Sequence, residues 1–128
     1  MKKGFTLLEL IVVIIIIGIL GTLGFTQYTK VLEKGRTAEA KAVLGQMRTA
    51  FTAYYQEYSA NPTMSQLSVE APADCTGTTH YFSYGTSGAT GTATRCGTGS
   101  GKTPGVGTSY TVNLNYESGV WGGTAGYY

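Results

Sequence analysis

Apolar residues fill the chain from Phe5 to Phe25 almost without interruption, as FTLLELIVVIIIIGILGTLGF. The run is apolar on every side. It predicts a helix that meets lipid, or other helices, all round. At about 1.5 Å per residue it spans roughly 32 Å, close to the hydrocarbon thickness of a bilayer. Its one charge is Glu9. A carboxylate at a bilayer centre costs about 2.5–3.5 kcal/mol, so such residues usually mark a function and a partner. In the first turns of a helix the macrodipole and interfacial water lessen that cost. The β-branched stretch Ile11–Ile17 is stiff, whereas Gly18, Gly21 and Gly24 weaken the second half of the segment. Each glycine costs about 1 kcal/mol relative to alanine in a helix interior.

A second pattern follows. Over residues 28–60 the chain turns amphipathic, with Ala40, Leu44, Met47, Phe51, Tyr54 and Tyr58 on one helical stripe. Glu33, Lys34, Lys41, Arg48 and Glu57 fall largely elsewhere. The aromatic members of the stripe are expected to pack on a sheet, not to form an electron path. Pro62 stops the helix, since proline removes a donor and disfavours helical geometry just before it.

The third pattern has period two. Tyr110, Val112, Leu114 and Tyr116 alternate with polar residues, as in a half-buried antiparallel strand. Strands are also expected at His80–Tyr84, Thr90–Cys96 and Val120–Trp121. Glu117-Ser118-Gly119 reads as a hairpin turn, and Thr103–Thr108 as loop. Residues 61–128 hold 13 of the 19 glycines and five charges. Such a segment makes a small, turn-rich head with few large aliphatics. The predicted fold class is α+β: a long N-terminal helix, transmembrane in one half and amphipathic in the other, packed on a small antiparallel β-meander.

Charge places the ends. Lys2 and Lys3 are the only charges before the apolar run, so the positive-inside rule keeps that start cytoplasmic and sends everything after Phe25 outside. Cys75 and Cys96, the only cysteines, then lie in an oxidising exterior and are expected to form one structural disulfide. Closing that loop contributes roughly 3 kcal/mol in the chain-entropy model. Redox chemistry would favour C-x-x-C, which is absent, and a metal site would need more ligands than the single His80 offers. No nucleophile–histidine–acid set exists, so no enzyme and no cofactor are expected. The glycine-rich stretches do not match a phosphate loop. The formal charge of +2 includes Lys2 and Lys3, and residues 61–128 carry two bases against three acids. That is poor footing for nucleic-acid binding by a monomer. Lys30, Lys34, Arg36 and Lys41 are read as a solvated helix face.

Lys3, Gly4, Phe5, Thr6, Leu7, Leu8 and Glu9 resemble, residue for residue, the K-G-F-T-L-x-E prepilin signal of type IV pilins and their relatives. The resemblance implies a leader at 1–4, cut by prepilin peptidase between Gly4 and Phe5. It implies N-methylation of Phe5, a transmembrane and filament-core helix over 5–27, an amphipathic helix over 28–60 and a β-rich head over 61–128. It further implies that Glu9 pairs with the terminal amine of Phe5 in a neighbouring subunit and sets axial register. The Gly18–Thr26 segment would unwind when the subunit leaves lipid for a filament, or else serve close helix packing. Two features depart from the family. Thr26 stands where family members often carry proline, and the cysteine pair lies earlier than the usual late loop, so that loop's receptor-binding role does not carry over.

The implied protein is a structural subunit of a type IV pilus or closely related filament. It would wait in the inner membrane and then join a surface homopolymer, served by an assembly platform and its ATPase. A type II secretion pseudopilin is the alternative, although only Glu117 follows Asp74 as an acid for that family's late calcium loop. A membrane-tethered binding module is another. A secretory signal peptide fits less well, for no A-x-A site follows the apolar core.

Overall fold

The computed structural model describes residues 4–102, 107 and 109–128. Lys2, Lys3 and, except for Gly107, the expected loop Thr103–Thr108 lie outside the described residues. The chain divides into two compact units, Met1–Glu33 and Lys34–Tyr128.

One helix, α1, runs over Leu7–Tyr58. No proline interrupts it, and its glycines cost too little to break it. Its end is well defined. Ser59 takes a left-handed conformation at φ 52°, unusual for a residue with a side chain, and its amide donates to the Tyr55 carbonyl at 2.8 Å. Pro62 then prevents continuation.

The second unit is built around a four-stranded antiparallel sheet in sequential order: β1 Phe82–Ser87, β2 Thr90–Arg95, β3 Thr111–Asn115 and β4 Trp121–Gly123. A helix and an antiparallel meander give the α+β class read from the sequence. The register aligns Phe82 with Arg95, Tyr84 with Ala93, and Ala93 with Val112, so these side chains share the inner face. Phe82, Tyr84, Ala93 and Val112 pack with Ala40, Leu44, Met47 and Phe51 of α1 and with Leu67 in one buried cluster. Residues on the alternate positions of β1–β3 are only half-buried.

Gly91 sits on the inner face because nothing larger fits. A Cβ there would collide with the Tyr116 ring, which in turn packs on Phe51 at 4.9 Å between centroids. Arg48 of α1 reaches across to donate from Nε to the Tyr116 carbonyl at 2.9 Å. Its guanidinium lies beside Gly119, whose positive φ of 73° makes the β3–β4 turn.

Several sequence expectations need correction. His80 and Tyr81 precede the first strand, and β1 continues to Ser87. Gly85 looks like a turn residue, but it pairs with Thr92, and the turn itself is at Gly88 with φ 56°. The last strand begins at Trp121, not Val120. The helix stripe ends early: Tyr54 is half-buried and Tyr58 is 58% exposed, because the sheet does not extend beneath the last turn. Instead the two rings pack on each other at 4.5 Å. Arg36 and Lys41 are not simply solvated. The Arg36 guanidinium lies 4.6 Å over the Tyr81 ring, and the Lys41 ammonium 5.8 Å over Trp121. Both use cation–π attraction to seat long stems on the head.

Cys75 and Cys96 are joined, with 5.7 Å between their Cα atoms. The bridge ties the loop before β1 to the end of β2. Around it the Gly101 amide donates to the Cys75 carbonyl and the Lys102 amide to the His80 carbonyl, each at 2.8 Å. His80 is hydrogen-bonded within this loop, its Nε2 lying 2.8 Å from the Asp74 carbonyl oxygen.

Candidate functional site: the N-terminal segment

Gly4, Phe5 and Thr6 precede the helix in irregular backbone. Thr6 is the N-cap. Its hydroxyl accepts the Glu9 amide proton at 3.2 Å, and its carbonyl accepts the Leu10 amide at 3.3 Å. Glu9 therefore occupies the third helical position, so Thr6-Leu7-Leu8-Glu9 has the T-x-x-E order of a capping box. That pattern was legible in the sequence and went unread there. It places the carboxylate where the helix dipole favours negative charge. The Gly4–Phe5 bond lies outside the helix.

Beyond the cap, every large apolar side chain from Phe5 to Phe25 is substantially exposed. Phe5 is 79% exposed, and the most apolar stretch of α1 has none of its residues buried inside the chain. Among the described residues, α1 is the one helix long and apolar enough to cross a membrane. An exposed surface of this size and composition requires an apolar environment outside the chain.

Gly18, Gly21 and Gly24 are helical, and the space that a Cβ would fill at each is open. Among the described residues no contact therefore requires glycine at these positions. The threonines around them bond back to the helix: Thr22 Oγ1 donates to the Gly18 carbonyl at 2.9 Å and Thr26 Oγ1 to the Leu23 carbonyl at 3.0 Å. Such bonds satisfy a hydroxyl where no water is available, and they also loosen the helix ladder slightly.

Residues 1–25 match the family model for the prokaryotic N-terminal methylation motif. The chain carries the type IV prepilin signature. No curated protein matches the chain. The signature belongs to structural, pilin-type proteins and not to an enzyme family, and it implies prepilin-peptidase processing and filament assembly. The signature and the apolar helix are the features a membrane-anchored, pilin-like or pseudopilin-like precursor carries. Its residues coincide with the capped helix start, which brings Gly4, Phe5 and Glu9 together within two turns. Cys75 and Cys96 belong to the head and take no part in this site.

Proposed function

We propose that the chain is the structural subunit of a type IV pilus or closely related surface filament, and that its mechanism is non-catalytic polymerisation. The observation that supports this reading is the exposed apolar segment that bears one acid, Glu9, within the prepilin signature. Prepilin peptidase removes 1–4, and Phe5 is N-methylated. The precursor rests in the inner membrane with its start cytoplasmic. An assembly platform and its ATPase then move the helix from lipid into a bundle of like helices. The apolar environment is kept throughout, so hydrophobic burial does not oppose the transfer.

Glu9 supplies order in an otherwise featureless contact. Once the leader is gone the next base in sequence is Lys30, about 30 Å along the helix. The Phe5 amine of a neighbour is the near cation that can meet the carboxylate. The segment from Gly18 to Thr26 unwinds in the fibre, where propensity is lowest, although it is helical in the single chain. A pseudopilin would share all these features. The pilus reading is preferred because Glu117 is the one acid after Asp74.

Electron microscopy of sheared cell-surface material tests the proposal. Long fibres containing this chain, beginning at a methylated Phe5, are expected. A secretion defect without fibres on deletion would instead assign a pseudopilin. Neither fibres nor a secretion defect would leave a tethered module.

A further inference from the structure

The outer face of the head sheet is uncharged, open and lined with unused hydrogen-bonding groups. The register builds it in rows. Thr94 lies between Ser83 and Thr111, and Thr90 between Ser87 and Asn115. In the middle row Thr92 lies between Gly85 and Asn113, which pairs onward with Gly122. At strand spacings of about 4.8 Å and rises of about 3.4 Å per residue, the three longer strands give a patch of roughly 10 by 14 Å.

A Cβ added at Gly85 or Gly122 would meet nothing within 4 Å. Among the described residues the hydroxyls of Thr90, Thr92, Thr94 and Thr111 take no partner; the Asn113 side-chain oxygen has none either, but it is itself buried from solvent. Four hydroxyls, each able to donate and to accept, thus stand on one small flat surface.

Threonine is common on half-exposed strands because its branched side chain suits the pleat. That preference explains one strand of threonines. It does not explain a face of ten positions without a charge, since solvated sheets normally intersperse lysine and glutamate. The chemistry narrows the partner. A nucleic acid would need cations here, and a lipid surface would need apolar or basic groups. Short hydroxyl side chains lose little rotamer freedom on binding and match a partner that also donates and accepts through uncharged hydroxyls.

We infer that this face is a docking surface for a neutral polysaccharide, with Thr90, Thr92 and Thr94 as its hydrogen-bonding groups. The inference rests on the head alone and is independent of the filament reading.

The test is retention of the full-length chain, held in a sugar-free zwitterionic detergent, on dextran, amylose and cellulose beads, with alginate beads as the acidic comparison. Retention on at least one neutral bead is expected. The triple variant Thr90→Val, Thr92→Val, Thr94→Val keeps strand shape but removes three hydroxyls, and should lower retention by about tenfold or more. Gly85→Lys, at a position where an added Cβ meets nothing within 4 Å, should block the face to a similar extent. Far-UV circular dichroism and an intact Cys75–Cys96 bridge verify the fold of each variant, and the second variant serves should the first fail to fold. Retention on alginate only, or on no bead, overturns the proposal. So does equal retention of a folded variant. Thermal hysteresis in freezing solution without bead retention would assign the face to ice and overturn it too.

Discussion

The Thr6 hydroxyl receives the amide proton of Glu9 across the first turn of α1, at 3.2 Å. This contact fixes where the helix begins, and hence where both the leader junction and the acid lie relative to it. Removing an N-cap side chain costs about 0.5–2 kcal/mol. Thr6→Val should therefore fray the first turn in detergent-solubilised chain. Amide hydrogen exchange at Glu9 and Leu10 should rise, while the amides beyond the glycines keep their rates. Unchanged exchange at Glu9 would show that the cap contributes nothing there.

Gly91 and Tyr116 are complementary across the inner face of the head. Any side chain at 91 must displace a ring that is itself held against Phe51. Gly91→Ala should destabilise the head by about 1–3 kcal/mol, the usual cost of overpacking. Adding Tyr116→Leu should recover part of that loss, because the two changes share one space. Thermal unfolding of the wild type, both single variants and the double variant measures the coupling. Strict additivity would rule out the collision.

The disulfide can be tested apart from assembly. It joins residues 21 apart in sequence and encloses both β1 and β2. Removing a native bridge from a small exterior domain typically costs 2–5 kcal/mol. A Cys75→Ser/Cys96→Ser double variant should unfold at a correspondingly lower denaturant concentration. Non-reducing peptide mapping of the wild type should recover the two peptides as one species.

Alkaline pH should weaken the head through Tyr84. Burial pushes its phenol well above the ordinary value, with nearby Glu39 adding to the effect. The unfolded chain then loses this proton near pH 10 while the folded chain keeps it. Stability is complete below that pH and falls as pH rises beyond it. The Tyr84 hydroxyl also has no hydrogen-bond partner among the described residues. Tyr84→Phe should cost little at neutral pH and should flatten the alkaline decline. Tyr116 is pushed the same way by burial, so a smaller decline should persist. Denaturant midpoints between pH 8 and 11 would show it.

The anchor and the helical stripe through Phe51 were legible because their periods are strong and their lengths exceed what a strand allows. The alternation at Val112 and Leu114 was legible for the same reason. The early end of the stripe was not. Tyr54 and Tyr58 keep the spacing of Leu44 and Met47, and only the extent of the sheet decides which of them it covers. β1 was misplaced because Gly85 carries no side chain to show its alternation. The outer face went unread because its chemistry depends on the register of three strands separated in sequence, which no single segment encodes. At the N-terminal site the T-x-x-E cap was local and present in plain residues.

The strongest test of the filament reading is Glu9. Its side chain lies in an apolar segment that none of the described residues buries, so its environment is set by whatever packs there. In lipid near the headgroups, water can solvate the carboxylate. In a bundle of helices it cannot, and an unpaired buried carboxylate is costly. Breaking a buried ion pair by removing one partner typically costs 3–5 kcal/mol. Glu9→Ala should leave insertion and leader removal largely intact while impairing polymerisation, because the Phe5 amine of each neighbour loses its counter-charge. Glu9→Gln keeps the shape and removes the charge, so it separates the ion pair from simple volume. Both variants should accumulate as mature, membrane-held subunit with little fibre, measured against total subunit in the same cells. Gly4 replaced by a bulky residue should instead accumulate precursor, which distinguishes a processing defect from an assembly defect. Normal fibre yield from both Glu9 variants at wild-type subunit levels would refute the register role.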